Sequence, residues 1–133
     1  MAMMKYREPN QVRRVGVRPA HNGTFTSGSG FQNAVAWNNF YTVPANRRLY
    51  IFHSALSAFG IVTTGDARMR IVYGGVVHYF HYCIFDVAGN FGYAVDTSHY
   101  FPFELNAGDT VGVYVSAVGI SCFGLFNGFL EVV

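Results

Sequence analysis

From residue 35 onward, apolar side chains alternate with small or polar ones in short runs, and no stretch keeps the 3.6-residue period of a helix over a useful length. β-branched and aromatic residues dominate these runs, as a pleated, packed surface favours. The pattern predicts strands over Ala34–Tyr41, Arg48–Ala58, Ala67–Tyr73, Val76–Asp86, Phe91–His99, Thr110–Ala117 and Ser121–Val132. Turn chemistry separates them: Thr64-Gly65-Asp66, Ala88-Gly89-Asn90, Asn106-Ala107-Gly108-Asp109 and Val118-Gly119. Gly74-Gly75 suits a two-residue hairpin, because positive φ is cheap only for glycine. Strands at this spacing predict an all-β sandwich or barrel.

The alternation also assigns faces. In one strand Leu49, Ile51, His53 and Ala55 oppose Tyr50, Phe52, Ser54 and Leu56; in another Val77, Tyr79, His81, Cys83 and Phe85 oppose Val76, His78, Phe80, Tyr82 and Ile84. Both sides of each strand are largely apolar. A sandwich strand with one wet face is not composed this way, so an outer sheet face is expected to be covered, most simply by an identical subunit.

Composition points the same way. Of 133 residues, 51% are hydrophobic, 17% aromatic and 12% charged, whereas a soluble domain carries about 25% charged residues. The aromatic content excludes disorder, the lack of a Gly-X-Y period excludes collagen, and the length suits one domain. The charges are unevenly placed. Up to Arg48, seven basic residues against Glu8 give +6; beyond it, Arg68 and Arg70 against six acidic residues give −4. Residues 1–30 hold most of that positive charge, two prolines and the Gly-Ser-rich run Thr24–Gly30. They read as an extended basic arm, with Lys5, Arg7, Arg13, Arg14 and Arg18 as its docking residues, ahead of a domain over 31–133. The plainer reading is that the charges keep exposed faces wet. Neither a signal peptide nor a membrane span is expected from the apolar windows.

Chemistry-bearing residues are sparse. Cys83 and Cys122 read as buried free thiols, with a bridge between them as the alternative. His78 and His81 fall on opposite faces of a strand and so do not share a metal; His81 and Cys83 lie on one face, which with His53 or His99 from across strands is the alternative metal reading, but hydrogen-bonded interface histidines are the simpler one. No nucleophile elbow, phosphate-binding loop or His-Glu-x-x-His motif occurs, and Asp96 and Ser98 face away from His99, so no enzyme activity and no cofactor are expected. Among the rings, Trp37, Tyr93 and Tyr100 are candidates for stacking on a sugar. Nucleic acid is not expected, because the basic residues lie in the arm, away from most rings.

Two segments near the end carry a resemblance. Leu105-Asn106-Ala107-Gly108-Asp109-Thr110-Val111, followed by Phe126-Asn127-Gly128-Phe129-Leu130, resembles the trimeric jelly rolls of the tumour-necrosis-factor and complement-globular-head type. There a Leu-x-x-Gly-Asp-x-Val turn leads into the penultimate strand, and a Phe-polar-Gly-Phe-Leu strand closes the domain at a threefold axis. Bacteriophage virion proteins use this fold as capsid decoration subunits and fibre heads, and the arm-plus-jelly-roll layout is similar to those. The resemblance implies an antiparallel jelly-roll sandwich forming a homotrimer through Tyr50, Phe52, Tyr79, His81, Phe123, Phe126 and Phe129. The expected role is a non-enzymatic virion structural protein, a decoration or cement subunit docked by its arm on a capsid. The alternative is the receptor- or glycan-binding head of a tail fibre, contacting a host surface glycan. Either is made in the host cytoplasm and carried on the virion.

Overall fold

The computed structural model describes residues 22–86 and 91–133, with the backbone alone at positions 91–93, 96, 100 and 101. The strands are β1 (Gly23–Gln32), β2 (Trp37–Thr42), β3 (Arg47–Ile61), β4 (Gly65–Tyr73), β5 (Val76–Phe85), β6 (Phe91–Asn106), β7 (Thr110–Val115) and β8 (Ser121–Val132), and the described residues contain no helix. They form two antiparallel sheets, ordered β1-β8-β3-β6 and β2-β7-β4-β5. The fold is a jelly-roll β-sandwich. Between the sheets lie Leu49, Ile51, Leu56, Met69, Ile71, Val111, Val113 and Phe126.

The glycine-rich run belongs to the sandwich. Residues up to Gly30 are expected in an arm, but Gly23–Gln32 pairs with β8 throughout, from Gly23 opposite Glu131 to Gln32 opposite Cys122. The glycines answer to packing rather than flexibility. A Cβ at Gly28 would lie 2.6 Å from the Phe126 ring, and one at Gly30 would lie 2.5 Å from Phe40 Cβ. The Gly74-Gly75 hairpin forms as the sequence predicts, with φ of 57° and 78° and Tyr73 opposite Val76.

Two bulges reset the faces. In β3, Ile51 and His53 pair with Gly128 and Asn127 of β8, leaving Phe52 as the extra residue. The inward set therefore changes from Leu49 and Ile51 to Ser54, Leu56 and Ala58. In β5, Met69 and Arg70 of β4 pair with His81 and Tyr79, leaving Phe80 over. Phe80 and His81 both turn toward the core, while Tyr79, Tyr82 and Ile84 turn outward. Strict alternation, which places Tyr79 and His81 on one face and Ser54 away from Leu49 and Ile51, fails at these two residues.

Candidate functional site

Three places concentrate chemistry: the outer face of each sheet, and a polar cluster between the sheets. The outer face of the first sheet is apolar. Phe25, Phe31, Phe59 and Phe123 are exposed on it, Phe25 at 79%. Phe25 packs edge-on against Phe129 at 5.1 Å and lies 6.4 Å from Phe52. Shallow grooves run beside Phe25, Phe52 and Asn127 and beside Ala55, Phe123 and Leu125. Polar groups gather toward one end, where Arg48 lies 3.3 Å from Glu104 and 3.7 Å from Glu131, and the Tyr50 hydroxyl donates to Glu131 Oε1 at 2.9 Å.

The expected interface residues divide among these places. Tyr50, Phe52, Phe123 and Phe129 occupy this first outer face, though Phe129 is largely covered by its own subunit. Tyr79 is exposed on the opposite face of the molecule. His81 (6% exposed) and Phe126 (0%) are interior and are corrected on that ground: the β5 bulge turns His81 in, and Phe126 fills the space beneath Gly28. The arm residues Lys5, Arg7, Arg13, Arg14 and Arg18 lie outside the described residues, as do the side chains of Tyr93 and Tyr100.

The outer face of the second sheet is built differently. Trp37, Tyr114, Arg68 and Tyr82 are successive partners across β2, β7, β4 and β5; the next row is Asn39, Gly112, Arg70 and Tyr79. Trp37 stacks on Tyr114 at 5.0 Å and reaches Tyr79 at 6.2 Å, and Tyr79 meets Tyr82 edge-on at 5.8 Å. The Arg68 guanidinium stands 4.6 Å from the Tyr82 ring and 5.3 Å from Tyr114, while Arg70 lies 3.8 Å from the centre of Trp37. Gly112 makes room for this. A Cβ there would lie 2.6 Å from Asn39 Oδ1, the atom that accepts a 3.4 Å hydrogen bond from Arg70. Trp37 is the one expected sugar contact whose side chain is described, and its neighbours come from three other strands, a convergence that spacing along the chain does not reveal.

The third place owes its existence to the bulges. Ser54 Oγ, fully buried, lies 3.0 Å from His81 Nε2 and 2.9 Å from His99 Nε2. His81 Nε2 is also 3.3 Å from the Ser54 carbonyl, which can only accept, so that nitrogen carries a hydrogen. The Ser54 hydroxyl then accepts from His81, and with its own hydrogen and a second lone pair it can donate to or accept from His99 Nε2, according to the tautomer of that ring. Burial, reinforced by the nearby His81 and His53, holds the His99 pKa below its ordinary value. With Ser54 closed to solvent, this Ser-His contact joins the two sheets and offers no nucleophile to a substrate. Among the described residues no three His, Cys, Asp or Glu side chains gather as a metal site. Cys83 and Cys122 are free and buried, and burial pushes the Cys122 thiol up to about 11.

No family model matches the chain, and no curated sequence does. Among solved structures, a chain of the cyanophage Pam1 capsid asymmetric unit aligns over 93% of this chain and 97% of its own, at 10% identity and a TM-score of 0.52. The globular domain of the zebrafish complement 1qA protein aligns over 77% and 94%, at 15% identity and a TM-score of 0.40. The nucleoplasmin-like N-terminal domain of Drosophila FKBP39 aligns over 87% and 96%, at 10% identity and a TM-score of 0.41. What this chain has in common with the Pam1 capsid chain is the fold.

Proposed function

We propose that this chain is a non-enzymatic structural subunit of a bacteriophage virion, a homotrimeric decoration or cement protein whose N-terminal arm docks on the capsid. The observation that carries the proposal is the phenylalanine-rich outer face of the β1-β8-β3-β6 sheet, with Phe25 standing 79% exposed. Covering one such ring contributes about 1.5–3 kcal/mol, and none of the described residues of a single chain lies over Phe25. The Pam1 likeness adds that a chain of this fold and similar length occurs in a capsid asymmetric unit.

Sedimentation of the full chain at micromolar concentration tests the assembly. The expected mass is three times 14.7 kDa, and Phe25→Glu should reduce it to that of one chain. A compact wild-type monomer contradicts the proposal. Deleting residues 1–21 should abolish capsid attachment and leave the trimer intact; unchanged attachment removes the arm from the account. A second reading, a glycan-binding head at a fibre tip, is favoured by one observation, the Trp37 and tyrosine rows on the other sheet.

A further inference from the structure

The two outer faces differ in chemistry, and that difference assigns them different partners. The first presents exposed phenylalanines, with polar groups gathered toward its Arg48–Glu131 end, and is suited to another copy of itself. The second mixes tyrosine, tryptophan, arginine and asparagine, whose rings are already held by stacking and cation-π contacts, so little side-chain freedom is lost on binding. Rings flanked by hydrogen-bond donors suit a ligand with both C–H faces and many hydroxyls.

Its two arginines are not equivalent. Arg68 closes on Asp66 through bonds of 2.7 and 3.2 Å, so its charge is matched. Arg70 has no carboxylate partner among the described residues. It donates only a long bond to the neutral Asn39, its Nε is buried without a hydrogen-bond partner, and burial lowers its pKa. A partly desolvated guanidinium without a counter-charge favours an anionic ligand, because a carboxylate makes strong charge-assisted bonds to it. Resting on the glycan-binding reading, we infer that the Trp37–Arg70 face binds an acidic sugar, a pyranose that sets its C–H face against the rings and its carboxylate on Arg70.

Titration of the full chain with polygalacturonate, its carboxyl-reduced neutral polymer and dextran sulfate tests this. Polygalacturonate should bind at least tenfold more tightly than the neutral polymer, and Arg70→Gln should erase that advantage. Trp37→Ala should weaken both sugars; Tyr79→Ser, at a position 48% exposed, repeats the ring test without removing a side chain of β2. Oligomeric mass should stay unchanged in all three variants. Equal binding of the neutral polymer, with Arg70→Gln silent, overturns the acidic preference and leaves glycan binding standing. No binding of either polymer overturns both. Dextran sulfate bound as tightly as polygalacturonate, and unaffected by the ring substitutions, reduces the face to charge attraction and overturns the inference. A change in oligomeric mass reassigns the face to subunit contact and also overturns it.

Discussion

Replacing Gly28 by alanine should destabilise the fold, by an amount set by what the new methyl group meets. A Cβ at that position lies 2.6 Å from Phe126 Cε1 and 3.0 Å from Cζ, whereas carbons in good contact stand about 3.5–4.0 Å apart. The ring has little room to retreat. It is fully buried, edge-on to Tyr41 at 5.0 Å and 6.3 Å from Phe40. Forcing a methyl into a filled interior costs about 1–3 kcal/mol, offset by about 0.4–1 kcal/mol from the reduced freedom of the unfolded chain. From the middle of each range the net loss is about 1–2 kcal/mol, which at a urea dependence of about 2 kcal/mol per molar lowers the midpoint by roughly 0.5–1 M. Urea unfolding at one fixed protomer concentration is the assay, since assembly makes the midpoint concentration-dependent. Ser29→Ala, at the exposed neighbouring position, should stay within about 0.5 kcal/mol of wild type. If Gly28→Ala also unfolds at the wild-type midpoint, Gly28 does not pack on Phe126 and the segment acts as a tether.

Other expectations concern the interior. Stability should fall as pH drops below about 6.5, the ordinary histidine value, because the unfolded chain takes up a proton that His99 refuses while folded. Urea midpoints between pH 5 and 7 measure this, and His99→Gln should flatten the slope; an equally steep slope in that variant would assign the effect elsewhere. Ser54→Ala removes contacts to two histidines, although His81 keeps the Ser54 carbonyl, and should cost about 1–2 kcal/mol. Phe126→Ala should cost about 3–5 kcal/mol. A thiol reagent should leave Cys83 and Cys122 untouched in native protein and label both in denaturant; rapid native labelling would contradict their burial.

Most strands were legible because alternation and turn chemistry are local, and the Gly74-Gly75 hairpin needs only two residues to declare itself. What was hidden depended on distant partners. Gly28 and Gly30 look like linker glycines until Phe126 and Phe40 are set beside them. Phe52 and Phe80 look like ordinary strand residues, yet each adds one position and reverses every face assignment that follows, which is how Ser54 came to meet His81. The pattern ends one strand at His99, but β6 runs on to Asn106: Pro102 lies where β6 leaves the β3 ladder, between Phe103 opposite Ile51 and Ser98 opposite His53. The same departure allows His99 to reach Ser54. Trp37 stood out as a candidate contact by residue type alone, whereas the arginine beside it became visible only through cross-strand register.

The strand order has a further consequence for how this chain emerges from a ribosome. β8, the last of the eight strands, lies between β1 and β3, and β7 lies between β2 and β4. The strands translated last are thus the ones that join the others. β1 must wait for partners 90 to 108 residues downstream, which at about 5–20 residues per second is on the order of 5–20 s with Phe25 and Phe31 unpaired. A nascent chain halted before Ser121 should remain open to protease however long it is held. Emergence of β8, rather than of any earlier strand, is then the moment at which the sandwich closes.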